Sequence, residues 1–475
     1  MAKQQSSAAA WAQFYTKFGP IRQFEEAGLS FPRLLRLSLF QVTVGLAQVL
    51  FYGTLNRVMI VELKVPATIV SVFIAIPVLV APFRALIGFQ SDTHRSILGW
   101  KRAPFILGGT ALQWSGLSFM PFALVLLSGD QTWGPSWIGW IFSGLAFLLV
   151  GAGAHVTQTA GLALATDLSN EQIKPKVVAL MYLMLLVGMT ACSIVVSGLL
   201  VDYTPIKLIK VIQSTAMFAL VINLIALWKQ EVPEKGKRWL PGERRPLFME
   251  AWFRFIDGGQ AVRVLTATFV GMFALNLQDV ILEPYGGEIL KLSVSQTTWL
   301  TGVYSIGSLA ALVAAAPMLA RRWDPIRVAW VGLVAGALGF VLIIVAAPAA
   351  NRLVFQAGTL VVGMAEAFFA VGTLAAAMDI RDKTQHGIAL GAWGAVYATG
   401  EGFGLALSGA IRDWVAHLVN AGRMSGSAST PYLAVYYLEI VGVALTVLMM
   451  IPLLRRKPAT DTAAPKPLDL AEYLA

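Results

Sequence analysis

GFQSDTHRSILGWKRAPF, residues 88–105, separates an apolar run at 67–90 from another at 104–127. Each run reaches the roughly 20 residues a helix needs to cross a hydrocarbon core about 30 Å thick. Between them Asp92 stands among Arg95, Lys101 and Arg102, with Gly88 at the end of the first run. Charge this dense is expelled from lipid, so the stretch marks a turn between two membrane spans.

Further apolar runs lie near 34–56, 137–165, 177–201 and 207–228. After a polar stretch at 229–263 come runs near 264–285, 296–319, 327–348, 353–378, 387–411 and 433–454. The expected fold is an all-α integral membrane protein of twelve transmembrane helices. Its two six-helix halves span 34–228 and 264–454, with a lead-in at 1–33, a linker at 229–263 and a tail at 455–475. Composition agrees: 57% hydrophobic and 13% charged residues, with a mean hydropathy of +0.69, give more apolar surface than a soluble domain can bury. A soluble enzyme is excluded, and no phosphate loop, metal-ligand spacing or nucleophile elbow proposes a reaction.

The net charge of +10 would suit nucleic acid if it were clustered on one surface. Instead, 28 of the 36 Lys and Arg fall in the lead-in, the linker, the tail and the loops after even-numbered spans. The positive-inside rule then places both termini in the cytoplasm and gives the charge a topological role, with no nucleic-acid partner. The lead-in lacks the pattern of a cleaved signal peptide and is expected to stay in place. The single Cys192 lies inside a span, which offers neither a disulfide nor a cysteine metal site. In the linker, Arg244, Arg245 and Arg254 alternate with Phe248, Trp252, Phe253 and Phe255. That pattern fits a helix lying on anionic headgroups, and an ordinary connector remains the alternative.

The halves echo each other. Ala165-Thr166-Asp167-Leu168 after the fourth span returns as Ala377-Met378-Asp379-Ile380 after the tenth, and Asp92-Thr93-His94-Arg95 after the second returns as Asp324-Pro325-Ile326-Arg327 after the eighth. With this duplication, residues 88–105 resemble the G-x-x-x-D…R…G-x-K/R-R loop of the major facilitator superfamily. The resemblance implies a central cavity lined by the first, fourth, seventh and tenth helices, and a gate loop at Gly88, Asp92, Arg95, Lys101 and Arg102. There Asp92 would accept hydrogen bonds from a helix N-terminus or an Arg, while the three cations anchor at headgroups. For those cations a purely topogenic role is the alternative.

Three stretches point more narrowly: RLLRLSLFQVTVGLAQVLFYGTLNRVMIVEL (33–63), APFRALIGFQSDTHRSILGWKRAPF (81–105) and LQDVILEPYGGEIL (277–290). They resemble the PucC/LhaA family, the bacteriochlorophyll-delivery branch of that superfamily in phototrophic bacteria, with the LhaA type slightly preferred. The resemblance implies a chaperone-like assembly factor in the bacterial inner, intracytoplasmic photosynthetic membrane. It would bind or deliver bacteriochlorophyll to newly inserted light-harvesting antenna polypeptides, the core antenna slightly preferred. Carotenoid or lipid would be further ligands, and the reaction-centre core complex and pigment-synthesis enzymes further partners.

Polar side chains at bilayer depth are costly and become site candidates by default. Gln41 and Gln48 share a face of the first span, and Asn276, Asp279 and Glu283 form a stripe on the seventh. His155 and Gln158 lie on the fourth, Glu366 on the tenth and Glu401, with Tyr397 one turn earlier, on the eleventh. His155 and Glu366 occupy equivalent places in the repeat near mid-membrane. They are expected either to pair with each other or to hold a bound group, His155 as an axial ligand to a chlorin magnesium. His94, His386 and His417 read as solvated loop residues. Pro284 with Gly286-Gly287 either opens the seventh helix toward lipid or simply ends it. The runs at 151–154 and 400–404 admit close helix packing or a flat macrocycle, and Trp133, Trp137 and Trp140 form an interfacial belt or a stacking surface for pigment. The competing function is a proton-coupled secondary transporter of a small solute or tetrapyrrole, with Asp279, Glu283, Glu366 or Glu401 as proton carriers.

Overall fold

The computed structural model describes residues 30–81, 84, 87, 90–91, 100–129, 135, 137–169, 173–231, 260–378 and 386–454, and among these no strand occurs. The lead-in, most of the linker, the tail and Gly88, Asp92, Arg95, His94 and Trp133 lie outside the described residues.

Ten helices among the described residues are long and apolar enough to cross a membrane, which makes this a multi-pass membrane protein. In the first half they are α1 (Phe31–Glu62), α3 (Ala103–Leu127), α4 (Trp137–Asp167), α5 (Lys174–Leu199) and α6 (Pro205–Leu227). In the second half they are α7 with its continuation (Ala261–Glu288), α8 (Val294–Ala320), α9 (Pro325–Ala346), α10 (Arg352–Met378) and α12 (Thr430–Leu454). The expectation of twelve counts two more helices as crossings. These are the apolar α2 (Ala67–Val80), with Arg84, Ile87, Gln90 and Ser91 helical beyond it, and the 35-residue α11 (His386–Asn420). His417 therefore sits in the last turn of α11, where a cation suits the helix C-terminus, and His386 is the first residue of that helix; neither is a loop residue.

The helix contacts repeat with the sequence. In the first half α3 packs on α4, α1 on α5 and α3 on α6; in the second α9 packs on α10, α7 on α11 and α9 on α12. The halves meet along α5–α8 and α2–α11, two interfaces that exchange when each helix number is shifted by six. The large buried clusters follow the same division. One is centred on Phe51, Phe73 and Phe147 and the other on Tyr285, Phe340 and Phe369.

Two helices depart from regular α geometry. α1 passes into π-helical turns at Val49–Leu55 and Val58–Glu62, a rare geometry that re-aims side chains and recurs at functional sites. α7 is interrupted by a 3₁₀ turn at Leu277–Val280 and resumes over Leu282–Glu288. Asn276, Asp279 and Glu283 thus do not stripe one continuous helix: the Asn276 amide donates back to the Met272 carbonyl at 2.8 Å and the ladder loosens after it. Pro284-Tyr285-Gly286-Gly287 does not open the helix within its own span; of the two readings, helix termination is the one that fits, since the helix ends at Glu288 just after the paired glycines. Pro284 lies in the first turn of the resumed helix, where its missing N–H has no partner to lose. The glycines also serve packing, since a Cβ on Gly287 would stand 2.9 Å from Arg57 Nε.

The small-residue runs close helix on helix. A Cβ at Gly151 would meet Pro77 at 2.2 Å, and one at Gly400 would meet the Phe269 carbonyl at 2.6 Å, so the glycines serve close helix packing, while Gly151, Ala154 and Glu401 of the same runs also border the chamber described below. Gly363 and Gly307 bring α10 and α8 together, with added Cβ atoms 2.1 Å from the Tyr304 carbonyl and 2.0 Å from the Leu360 carbonyl. Gly363→Ala is expected to lower stability by about 1–3 kcal/mol. Gly108→Ala, where nothing lies within 4 Å, should leave it unchanged. Thermal unfolding in detergent checks both.

Candidate functional site

The hydrogen bonds joining the halves gather at one end of the bundle, the end the charge count assigns to the periplasm. Thr54 and Thr298 share a hydroxyl hydrogen bond of 3.0 Å, and Thr298 also reaches the Gly53 carbonyl at 3.0 Å. Ser193 donates to the Thr298 carbonyl at 2.7 Å, and Ser197 to that of Ser295 at 2.9 Å. On the other interface the Thr68 amide and hydroxyl both donate to Asp413 at 2.8 Å. Asn56 crosses to the Glu283 carboxylate at 3.0 Å and the Val280 carbonyl at 3.3 Å. The buried Arg57 pairs with Glu62 and donates to the Leu292 carbonyl at 3.3 Å. Gly53 is required in this seal, because a Cβ there would lie 2.5 Å from Thr301 Oγ1.

Above the seal lies a chamber of about 680 Å³ between the halves, whose lining continues along α4 to Thr166 and along α11 to Trp393, toward the basic loops. Its volume falls within the roughly 300–1,000 Å³ of small-molecule sites. Its walls are unlike. The first half contributes Gln48, Arg84, His155 and Gln158; the second contributes Asn276, Asp279, Glu283, Glu366 and Glu401.

On the first wall, Arg84 donates through Nε to Thr159 Oγ1 at 3.1 Å and through Nη2 to Gln158 Oε1. Gln158 Nε2 donates to Gln41 Oε1 at 3.2 Å, so Gln41 stands behind Gln158 as a support and does not line the chamber. Gln48 Oε1 is buried without a hydrogen-bond partner among the described residues. The His155 ring lies against the Pro77 carbonyl. A hydrogen bond from one ring nitrogen to that carbonyl would fix the tautomer and leave the other as a lone-pair donor.

On the second wall each acid has its own setting. Glu283 accepts from Asn56 and, at 3.2 Å, from Thr301. Asp279 takes the Gln278 amide. Glu366 accepts from the hydroxyls of Tyr304 and, at 2.9 Å, Tyr397. The expected His155–Glu366 pair does not form. The two tyrosines occupy the carboxylate, and His155 faces α2 instead; equivalent positions in the repeat have equivalent depth but need not share a rotational facing. Glu401 lines the chamber across from Arg84, close enough to act on it electrostatically.

At the basic-loop end, Arg102 is 4% exposed and donates to Asp167 at 2.9 Å and Ser91 at 2.5 Å, so it does not anchor at headgroups. Lys101, 40% exposed in its side chain, lies 3.8 Å from Asp167. The start of α3 is held by Glu231, which accepts from the Arg102 and Ala103 amides at 2.9 and 2.7 Å. A carboxylate does cap this helix, but it comes from the first residues of the linker.

Three residues were missed in the sequence. Arg84 stands six residues inside the end of the apolar run at 67–90, close enough to the basic loop to pass for one of its cations. Asn56 is the last residue of the first apolar run, where a lone amide reads as the end of the span. Glu439 is 0% exposed on α12, with neither carboxylate oxygen hydrogen-bonded among the described residues. A lone acid in the run at 433–454 was signal enough for it.

A duplicated helical bundle with a chamber between its halves, sealed at one end, defines a protein of the major facilitator type. The solved nucleoside transporter NupG shares the fold, with a TM-score of 0.62 at 14% identity over 90% of this chain and 100% of that one. The family is closer. The family model described as PUCC protein matches residues 54–458, and the chain belongs to that family. Protein PucC of Rhodovulum sulfidophilum is 49% identical over 84% of this chain and 89% of its own length. A Rhodobacter capsulatus protein described as an uncharacterized protein in the puhA-bchM intergenic region is 46% identical over 93% and 94%.

The seal gives a direct test. With Cys192 replaced by Ser, the double variant Thr54→Cys/Thr298→Cys is expected to form a disulfide on mild oxidation, since the native hydroxyls are 3.0 Å apart. Mobility on non-reducing gels after protease cleavage in the linker reads it: one linked band if the halves meet there, two fragments otherwise.

Proposed function

We propose that the chain is a non-enzymatic assembly factor of the photosynthetic membrane that receives bacteriochlorophyll in its chamber and passes it to light-harvesting antenna polypeptides, with the core antenna as preferred client. The observation that carries this reading is His155: an imidazole on the wall of a largely apolar chamber, beside the Pro77 carbonyl and paired with no acid among the described residues. Family membership and the names of the relatives support it.

The residues present fit a magnesium bacteriochlorin. When bound, the pigment would supply a Lewis-acidic magnesium, and His155 would hold it. Apolar side chains such as Ile74, Val78, Leu185 and Met189 would cover the ring faces and exclude water. An apolar guest would pass to or from lipid beside α5, where Tyr182 lines the chamber. Lipid or carotenoid could share this route. Antenna polypeptides would meet the protein laterally in the membrane, with the reaction-centre core complex and pigment-synthesis enzymes as further partners.

The acidic second wall and the fold favour one other reading, proton-coupled transport of a small solute or tetrapyrrole. The two part on energy coupling. Gently purified protein is expected to carry bacteriochlorophyll absorbance, and deletion of the gene should remove core-antenna absorbance even where the proton gradient is intact. His155→Ala should lower bound pigment by about tenfold or more, the loss expected for a metal ligand or its support. Colourless protein, or uncoupler-sensitive solute uptake in proteoliposomes, would favour the transporter.

A further inference from the structure

The proposed function leaves Arg84 unexplained. Its guanidinium sits in the chamber wall at membrane depth, where a charge is retained only if something compensates it. Its hydrogen bonds from Nε and Nη2 go to a hydroxyl and a neutral amide oxygen, Thr159 and Gln158. Nearby acids are engaged elsewhere or out of contact. Glu366 is taken by two tyrosines and Glu283 by Asn56 and Thr301, while Tyr182 and Glu401 act on Arg84 electrostatically without a hydrogen bond or ion pair to it among the described residues. The two bonds fix the plane of the fork and leave the N–H groups of Nη1 to the chamber. This differs from a structural arginine such as Arg102, whose carboxylate partner is 2.9 Å away.

The surroundings narrow what those N–H groups await. Gln158 is itself braced by Gln41, so Arg84 is oriented by a chain of amides from α1 through α4. Thr159 donates its proton to the His155 carbonyl at 2.7 Å, which leaves its oxygen lone pair for Arg84 and ties the guanidinium to the turn that carries the imidazole. A metal-seeking imidazole and an anion-seeking guanidinium thus flank one apolar space. A planar fork of this kind matches a carboxylate or phosphate oxygen pair far better than an ester carbonyl.

Resting on the pigment reading above, we infer that the chamber prefers a magnesium bacteriochlorin that still carries its free carboxylate over one whose acid is esterified with a long-chain alcohol, and that Arg84 is the residue that selects it. The carboxylate lies on the fork of Arg84 while the metal faces His155. The reaction that consumes a molecule held in this way is an esterification with a long-chain alcohol, so the chamber would take the pigment before that step and, binding the ester less tightly, release it toward the antenna polypeptides after it. A phosphate from an anionic lipid headgroup presents the same oxygen chemistry, and the test separates the two.

Detergent-solubilised protein is titrated with the magnesium bacteriochlorin as free acid and as long-chain ester, followed by the shift of the pigment's absorption bands. The free acid is expected to bind about 10–100-fold more tightly, the range for a charge-assisted hydrogen bond gained on binding. Arg84→Gln should remove that preference and leave ester binding unchanged, and Arg84→Lys should restore only part of it. Equal affinity of the native protein for acid and ester overturns the inference and leaves pigment binding standing. Equal loss of both ligands in Arg84→Gln makes Arg84 a structural residue and likewise overturns it. Displacement of the free acid by phosphatidylglycerol, but not by the neutral headgroup of phosphatidylcholine, assigns the fork to lipid phosphate and overturns it as well. Binding of neither bacteriochlorin removes the pigment reading itself.

Discussion

A polar group placed between two lipid leaflets must find its hydrogen-bond partners inside the protein, and this requirement divides the molecule in two. At one end the polar groups of one half are satisfied by the other: Thr54 by Thr298, Asn56 by Glu283, Thr68 by Asp413. These bonds are short-range and mutual, so parting the halves there would strand several buried donors at once. Toward the basic loops, the polar groups that line the chamber are satisfied mainly within their own half, as Glu366 is by Tyr304 and Tyr397. The halves are thus fastened at one end and separated by a chamber at the other, and the position of the chamber follows from where the cross-half bonds stop.

The backbone is duplicated but the chemistry is not. The pairing of α3 with α4 returns as α9 with α10, and the two half-to-half interfaces exchange under the same shift. Yet the first wall carries a guanidinium, an imidazole and amides, while the second carries carboxyls. Such a chamber imposes an orientation on whatever enters, because an anionic or electron-rich edge is favoured against α2 and α4 and a hydrogen-bond donor or electropositive centre against α7, α10 and α11. A symmetric chamber would bind a guest equally in two poses. The divergence of His155 from Glu366 at equivalent depth is what removes one of them.

The spans were legible in the sequence because each depends on local information, namely about twenty apolar residues with charge at the ends. α3, α4 and α10 begin and end within two residues of the apolar runs. The residues that line the chamber were also largely legible, since the cost of a polar group in lipid singles them out one at a time. Their pairings were not. A spacing of seven puts Gln41 and Gln48 on one face, but only packing decides that Gln41 supports Gln158 while Gln48 meets the chamber. Arg102 read as a headgroup anchor because its partner Asp167 is 65 residues away, and a loop cation looks the same in sequence whether it is solvated or buried. The loosening of α7 at Asn276 was hidden behind the stronger sequence signals of Pro284 and the paired glycines.

That misreading explains the stretch QDVILEPYGG, residues 278–287. Its proline and glycines suggest a broken helix, but each residue has a tertiary task. The Val280 carbonyl and the Glu283 carboxylate receive Asn56 from the other half. Tyr285 packs its ring 5.9, 5.5 and 5.4 Å from those of Phe355, Tyr432 and Tyr436. Gly286 and Gly287 let Phe355 and Arg57 approach the backbone. The 3₁₀ turn just before them swings Asp279 toward the chamber while the resumed helix stays in the seal. One short segment therefore contributes both to the closed end, through Val280 and Glu283, and to the acidic wall, through Asp279.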